Sequence, residues 1–275
     1  MNIRIQDDFS LKKIAASGQC FRVKHAGNGT YRFLCKSRAL SIRQTGVDTY
    51  EAGCSREDWQ GFWYDYFDLS RNYQSIRASI DQNDPYLLAA AVSGTGIRIL
   101  RQDPWEMLLT FIISQRKSIP AIQHTVELLA QRYGQRLSAD GETFCLFPTP
   151  DALQAVSEEA FRQCGLGYRA PYIHDAVRKV CDGEIDLQAC YQYNDGVLLE
   201  TLKKIRGIGD KVANCICLFA YGRTALAPVD TWIARAIREQ YDGCNPFPGY
   251  GDTAGIMQQY IFYHIREQKR KQSGK

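Results

Sequence analysis

Residues 202–230 read LKKIRGIGDKVANCICLFAYGRTALAPVD, and this stretch decides the fold. Lys203 to Ile205 close one helix, and Gly207 and Gly209 permit a tight turn. Val212, Ala213, Ile216, Cys217 and Ala220 then recur at helical spacing and predict a second helix. Pro228 and Val229 lead to Asp230, which stands at the start of a third helix beginning TWIARAI. The unit is therefore two helices joined by a glycine hairpin, followed by a helix that opens on a carboxylate.

A glycine hairpin leading into a helix N-terminus turns unpaired backbone N–H groups outward, and the helix dipole adds positive potential, so a phosphate fits there. Such a site holds a DNA or RNA backbone without reading its sequence. Lys211 falls in the first turn of the second helix, where the dipole disfavours an ammonium ion, and a neutral amine is a nucleophile. Asp230 can reach the same cleft from the next helix. Each residue also has an ordinary reading, since aspartate is a natural helix N-cap and a lysine on a polar face is solvated.

Working outward, the 275 residues suffice for one large or two modest domains, and the net charge of +4 is compatible with nucleic acid without arguing for it. The start, MNIRIQDDFSLKK, lacks the apolar core of a secretion signal, and no apolar run of 18 residues occurs, which excludes a membrane-spanning helix. The ten cysteines are expected to be reduced in an intracellular protein, in the bacterial cytoplasm. No CxxC pair occurs, and the closest pair, Cys215 and Cys217, shares one helix, which argues against a structural zinc.

The texture of the chain changes once. Between Phe21 and Cys54 lie the alternating stretches TYRFLC, ALSIRQ and DTYEAG, with Asn28-Gly29 suited to a hairpin turn, and these predict an antiparallel sheet. After WQGFWYDYF the pattern becomes helical. Asp103-Pro104 and Thr149-Pro150 are cap and first-residue pairs, and helical periodicity continues through residues 195–205, 230–240 and 252–267. The expected fold is α+β, an N-terminal antiparallel β-sheet domain with flanking helices over residues 1–100, then an all-α domain over residues 101–275 that includes a C-terminal helix at 252–268.

The combination LxxIRGIGxKxA followed by PVD resembles the helix-hairpin-helix family of DNA base-excision glycosylases. Three further motifs narrow the likeness to 8-oxoguanine DNA glycosylases: SGQCFRV at residues 17–23, RQDPWEMLLTFIIS at 101–114 and GLGYRAPYI at 165–173. The resemblance implies that Lys211 is the nucleophile of a bifunctional enzyme and that Asp230 is the catalytic carboxylate. It further implies that the C-terminal helix lines a base pocket, with double-stranded DNA containing oxidised guanine as partner. The implied protein is a monomer that works without a cofactor or catalytic metal and away from membranes.

Oxidised guanine carries an N7–H donor and a C8 carbonyl, whereas guanine N7 is only an acceptor, so one acceptor aimed at N7 tells them apart. By resemblance the backbone carbonyl of Gly18 takes that role. Gln258 and Phe262, in GIMQQYIFYHIRE, match the positions that contact the base edge and stack on its face, and their i, i+4 spacing puts them on one helix face. Cys215 matches the residue on the opposite face of the base. A base inside a duplex must be extruded before Lys211 can reach its sugar. Tyr168 and Arg169 match the wedge that fills the gap and the reader of the opposite cytosine. Gly207 and Gly209 contact phosphate, and their carbonyls match a backbone site for a bridging cation.

The chain departs from its eukaryotic relatives in two places. Their asparagine-rich turn is replaced by Gln115-Arg116-Lys117-Ser118, and the second cytosine-reading arginine by Ala121, so Arg116 is expected to fill the stack or contact phosphate and opposite-base selection is expected to relax. Two residues after Asp230 stands Trp232 rather than histidine. Two other readings stay open on sequence alone, a glycosylase for alkylated purines and a noncatalytic DNA-binding module.

Overall fold

The computed structural model describes residues 1–139 and 141–273. Five strands form an antiparallel sheet: β1 (Asn2–Arg4), β2 (Val23–His25), β3 (Thr30–Cys35), β4 (Arg38–Gln44) and β5 (Thr49–Ala52), in the order β1-β5-β4-β3-β2. The register pairs Phe33 with Leu40 and Tyr31 with Ile42. Phe33, Leu40, Ile42, Tyr50 and Ala52 are buried on one face, while Arg43 and Glu51 are exposed and bridged to each other at 2.6 Å. The hairpin between β2 and β3 turns at Asn28 and Gly29, both with positive φ, as the pair predicts. Strand β1 has no counterpart in the sequence reading, because three residues are too few to show alternation.

Helical structure begins earlier than the pattern suggests, since Trp59–Trp63, within the aromatic run, is already a wide helical turn. Its rings close the sheet's core, with Phe33 and Phe67 edge-to-face at 5.1 Å. The longer helices are α1 (Pro85–Gly94), α2 (Pro104–Ser114), α3 (Ile119–Tyr133), α4 (Ala170–Cys181), α5 (Asp195–Lys203), α6 (Asp210–Phe219), α7 (Thr231–Gln240) and α8 (Ala254–Ser273). Asp103 caps α2 by accepting from the Glu106 N–H at 3.0 Å, and Thr149 caps a short helix at Pro150–Gln154, as both Pro pairs predict.

The helical part also contains a two-stranded hairpin, β6 (Arg136–Ala139) with β7 (Glu142–Cys145), where only helices are expected. The C-terminal helix differs too. It starts two residues later than expected, after a 3-10 stretch at Phe247–Thr253, and its regular turns run on to Ser273 through most of the basic REQKRKQSGK tail; Gly274 and Lys275 lie outside the described residues.

Buried apolar residues fall into two clusters. One lies under the sheet, from Ile3 to Phe67 with Leu100. The other fills the helical part and reaches back to Tyr73, Ile80, Leu87 and Ile99, so α1 packs with the helices. Arg98, fully buried, joins the two. Its guanidinium donates to the carbonyls of Phe67, Asp8, Asp68 and Arg71 and to the Asp7 carboxylate, and lies 4.2 Å over the Tyr73 ring. A charge so deep is tolerated because its donors are met by fixed acceptors.

Candidate active site and nucleic-acid interface

Between α2, α6, α8 and the turn at residues 17–18 lies a cavity of about 360 Å³. Six of the expected residues line it: Gly18, Lys211, Cys215, Asp230, Gln258 and Phe262. They arrive from four separated stretches of chain.

Lys211 is the second residue of α6, and the N-cap before that helix is Gly209, which offers no side-chain cap. The first N–H groups of α6 are thus left for an outside acceptor, as expected of a phosphate site. The Lys211 amine lies 5.8 Å from the Phe111 ring centroid, and the Cys215 thiol lines the cavity one turn further along α6. Burial pushes that thiol up to about 11, with the Lys211 ammonium pulling the other way. Asp230 fulfils its ordinary reading as an N-cap and also reaches the cavity. Its Oδ1 accepts from the Trp232 and Ile233 N–H groups, each at 2.9 Å, while the residue lines the cavity. The cap fixes the carboxylate's orientation and leaves Oδ2 without a hydrogen-bond donor among the described residues.

The base-facing positions are equally constrained. Gly18 has φ +82°, and a Cβ there would lie 2.8 Å from Nη1 of Arg266 and 3.0 Å from the Phe262 ring, so both backbone and space demand glycine. The flanking turn is held by Gln19, whose amide donates to the Ser17 hydroxyl at 2.9 Å and to the Arg98 carbonyl at 2.8 Å and accepts from the Leu100 N–H at 2.7 Å. Gln258 is 4 % exposed, and its Oε1 is buried without a partner among the described residues. An orphaned amide oxygen on a cavity wall is costly unless a ligand donates to it.

Gly207 and Gly209 differ in function within the hairpin. Gly207 has φ +84°, and a Cβ would fall 2.3 Å from the Tyr172 ring; Gly209 is extended, with φ −101° and ψ −176°, so only one of the two glycines is needed for the turn. The Gly207 carbonyl already accepts from Gln115 at 3.1 Å, so one of the carbonyls matched to a cation site is engaged within the protein.

Tyr168, Arg169 and Arg116 lie outside the cavity. Tyr168 is 52 % exposed and Arg116 is exposed at the α2–α3 loop with φ +53°. Arg169, in contrast, is 6 % exposed. Its guanidinium stacks 4.3 Å over the Tyr168 ring and donates to the Gln115 carbonyl, so it is turned inward where a reader of an opposite base would point outward.

Sequence reasoning missed Phe111 and Phe219, stacked at 5.6 Å, and Trp232's place in the wall, over which the Lys269 amine sits at 4.7 Å. It also missed Lys117, Gln259 and Arg266. Arg266 carried a signal, since Gln258, Phe262 and Arg266 follow one another at i, i+4, i+8.

Sheet, hairpin and cavity together define a base-excision DNA repair protein, and comparison with known proteins supports that class. Residues 109–259 match the model of the HhH-GPD superfamily of base excision DNA repair proteins, and residues 2–108 that of the N-terminal domain of 8-oxoguanine DNA glycosylase. The chain belongs to the HhH-GPD superfamily, in its 8-oxoguanine DNA glycosylase family. The probable N-glycosylase/DNA lyase of Methanothermobacter thermautotrophicus is 31 % identical over 231 residues, covering 73 % of this chain and 71 % of that protein. MBOgg1, solved with a low affinity DNA ligand, superposes with a TM-score of 0.92 at 37 % identity over 98 % of this chain and 96 % of that one. The Clostridium acetobutylicum 8-oxoguanine glycosylase/lyase, solved with double-stranded DNA containing cytosine opposite 8-oxoG, does so at 0.89 and 34 % identity over 98 % of each.

Proposed function

We propose that the chain removes 8-oxoguanine from duplex DNA and then nicks the strand, with Lys211 as nucleophile and Asp230 as its carboxylate partner. The observation that carries the reading is the shared cavity. A lysine amine and a capped carboxylate line it together with an unpartnered Gln258 oxygen, which suits the N1–H and N2–H donors on a guanine edge. Adenine has no donor at N1.

The flipped base would lie between Phe262 and Cys215, with its N7–H on the Gly18 carbonyl. The Lys211 amine lone pair forms a bond to C1' as the C1'–N9 bond breaks, and the base leaves with the bonding pair as an anion. Asp230 faces the positive charge that develops on the sugar and accepts a proton from the attacking amine. Ring opening, in which the ring oxygen takes the proton that Asp230 accepted, gives a protonated Schiff base. Loss of a C2' proton to the expelled base then drives out the 3' phosphate, and the strand is cut. The open N–H groups of α6 and the exposed Tyr168 and Arg116 would hold the DNA around this centre, with Arg169 turning outward from the Gln115 carbonyl to meet the opposite base. The protein is expected to act as an intracellular monomer.

Borohydride reduction tests the Schiff base directly, on duplexes carrying 8-oxoguanine opposite each of the four bases. The parent should give a lesion-dependent covalent adduct and Lys211→Gln none. An adduct that persists in Lys211→Gln, or tight binding without any adduct, would remove Lys211 from the chemistry.

A further inference from the structure

The wall of the cavity beside Gly18 is made by hydrogen bonds from α8. Gln259 Nε2 donates to the Ser17 carbonyl at 2.8 Å, and Arg266 Nη1 to the Ala16 carbonyl at 3.0 Å. Arg266 also lies over the Phe262 ring at 5.4 Å. Because Gln258, Phe262 and Arg266 stand four residues apart in turn, one helix face brings an amide, an aromatic ring and a guanidinium to the same space.

Arg266 is more charge than its surroundings need. Among the described residues no carboxylate lies within ion-pair distance of it, and only Nη1 has a hydrogen-bond partner, which leaves the Nε and Nη2 donors unmet. Neither donor is sealed from solvent, and both are free to meet a ligand that enters the cavity. Holding the Ala16 carbonyl would need only a neutral donor.

We propose that Arg266 is a specificity-determining residue that donates to the C8 carbonyl of the extruded base. This rests on the reading of Gly18 given above. Gly18 and Arg266 then present an acceptor beside a donor, the complement of the N7–H and carbonyl edge that oxidation creates. Guanine would set its N7 lone pair against the Gly18 carbonyl and offer only C–H at position 8. A site whose polar groups are left unpaired by the wrong base rejects it strongly.

The test compares two single-turnover rates for the parent, Arg266→Met and Arg266→Lys: excision of 8-oxoguanine, and strand cleavage at a preformed abasic site, which has no base to read. The ratio of excision to abasic cleavage should fall tenfold or more in Arg266→Met and recover in part in Arg266→Lys. A ratio equal to the parent's would overturn the proposal, whether both rates stay or both fall. A parent that cuts abasic sites and leaves 8-oxoguanine untouched would overturn the substrate reading beneath it. Binding of a Lys211→Gln, Arg266→Met double variant offers a second readout, because its preference for 8-oxoguanine over guanine duplex should drop relative to Lys211→Gln alone.

Discussion

Gln115 holds Gly207. Its side-chain amide donates to the Gly207 carbonyl at 3.1 Å, while its own backbone carbonyl takes the Arg169 guanidinium, so one residue of the α2–α3 loop ties together the hairpin and the inward-turned arginine. Gln115→Ala should free the Gly207 carbonyl and leave the backbone carbonyl that holds Arg169 in place. One neutral hydrogen bond contributes about 1 kcal/mol, so duplex dissociation constants should rise roughly fivefold at fixed salt with a small change in melting temperature. An unchanged dissociation constant would show that the tie does not shape the DNA-facing surface.

Asp230 combines a cap with a place on the cavity wall, and two substitutions separate the cap from the proposed chemistry. Asparagine is also a good N-cap, so Asp230→Asn should unfold near the parent's temperature, whereas Asp230→Ala should lose about 1 kcal/mol of stability. Both should slow excision on the order of 10²-fold. Calorimetry beside single-turnover kinetics gives the comparison; parent-like excision by Asp230→Asn would leave only the cap.

Gly18→Ala puts a methyl group at a left-handed φ and into the space between Arg266 and Phe262. The backbone cost is about 1–2 kcal/mol. Excision of 8-oxoguanine should fall more than tenfold, measured beside thermal unfolding, because the turn that carries the carbonyl must move. A variant as stable and as active as the parent would mean that the turn is soft.

Glu106 opens α2 at 5 % exposure, and burial first of all, against the opposing pull of Arg22, pushes its carboxyl up to about 7. A folded value above the unfolded one means that the unfolded chain loses this proton first. The stability that Glu106 contributes is therefore complete below pH 4.5 and drains away as pH rises toward 7. Glu106→Gln keeps the neutral form at every pH. Its melting temperature should exceed the parent's by a margin that widens between pH 5 and pH 8, and a constant margin would show that the carboxyl does not titrate there.

Much of this was legible because short-range rules govern it. Asn28-Gly29, Asp103-Pro104 and Thr149-Pro150 announce their turns and caps through local backbone chemistry, and the structure has all three. Lys211 and Asp230 were legible from their spacing to the hairpin, and six expected residues do meet on one cavity. Other features depend on distant partners. Strand β1 exists because β5 offers an edge, and α1 joins the helical core through Leu87, Ala90 and Ala91 although it precedes the domain boundary expected at residue 100. Arg169 reads locally as a surface residue of a glycine turn, yet the Gln115 carbonyl, 54 residues earlier, draws it in. The helix face of Arg266 was legible from its spacing to Gln258 and Phe262, but its acceptor, 250 residues away, was not.

The bond from Gln259 to the Ser17 carbonyl spans 242 residues, and it has a consequence for biosynthesis. A ribosome delivers the hairpin, Lys211 and Asp230 before α8, so a growing chain owns the proposed nucleophile before the wall beside Gly18 can close. Domains fold as they emerge, N-terminal parts first. On the reading proposed above, telling a damaged base from a sound one therefore waits for α8, and a message broken after residue 250 would yield a chain that carries the proposed nucleophile without that wall.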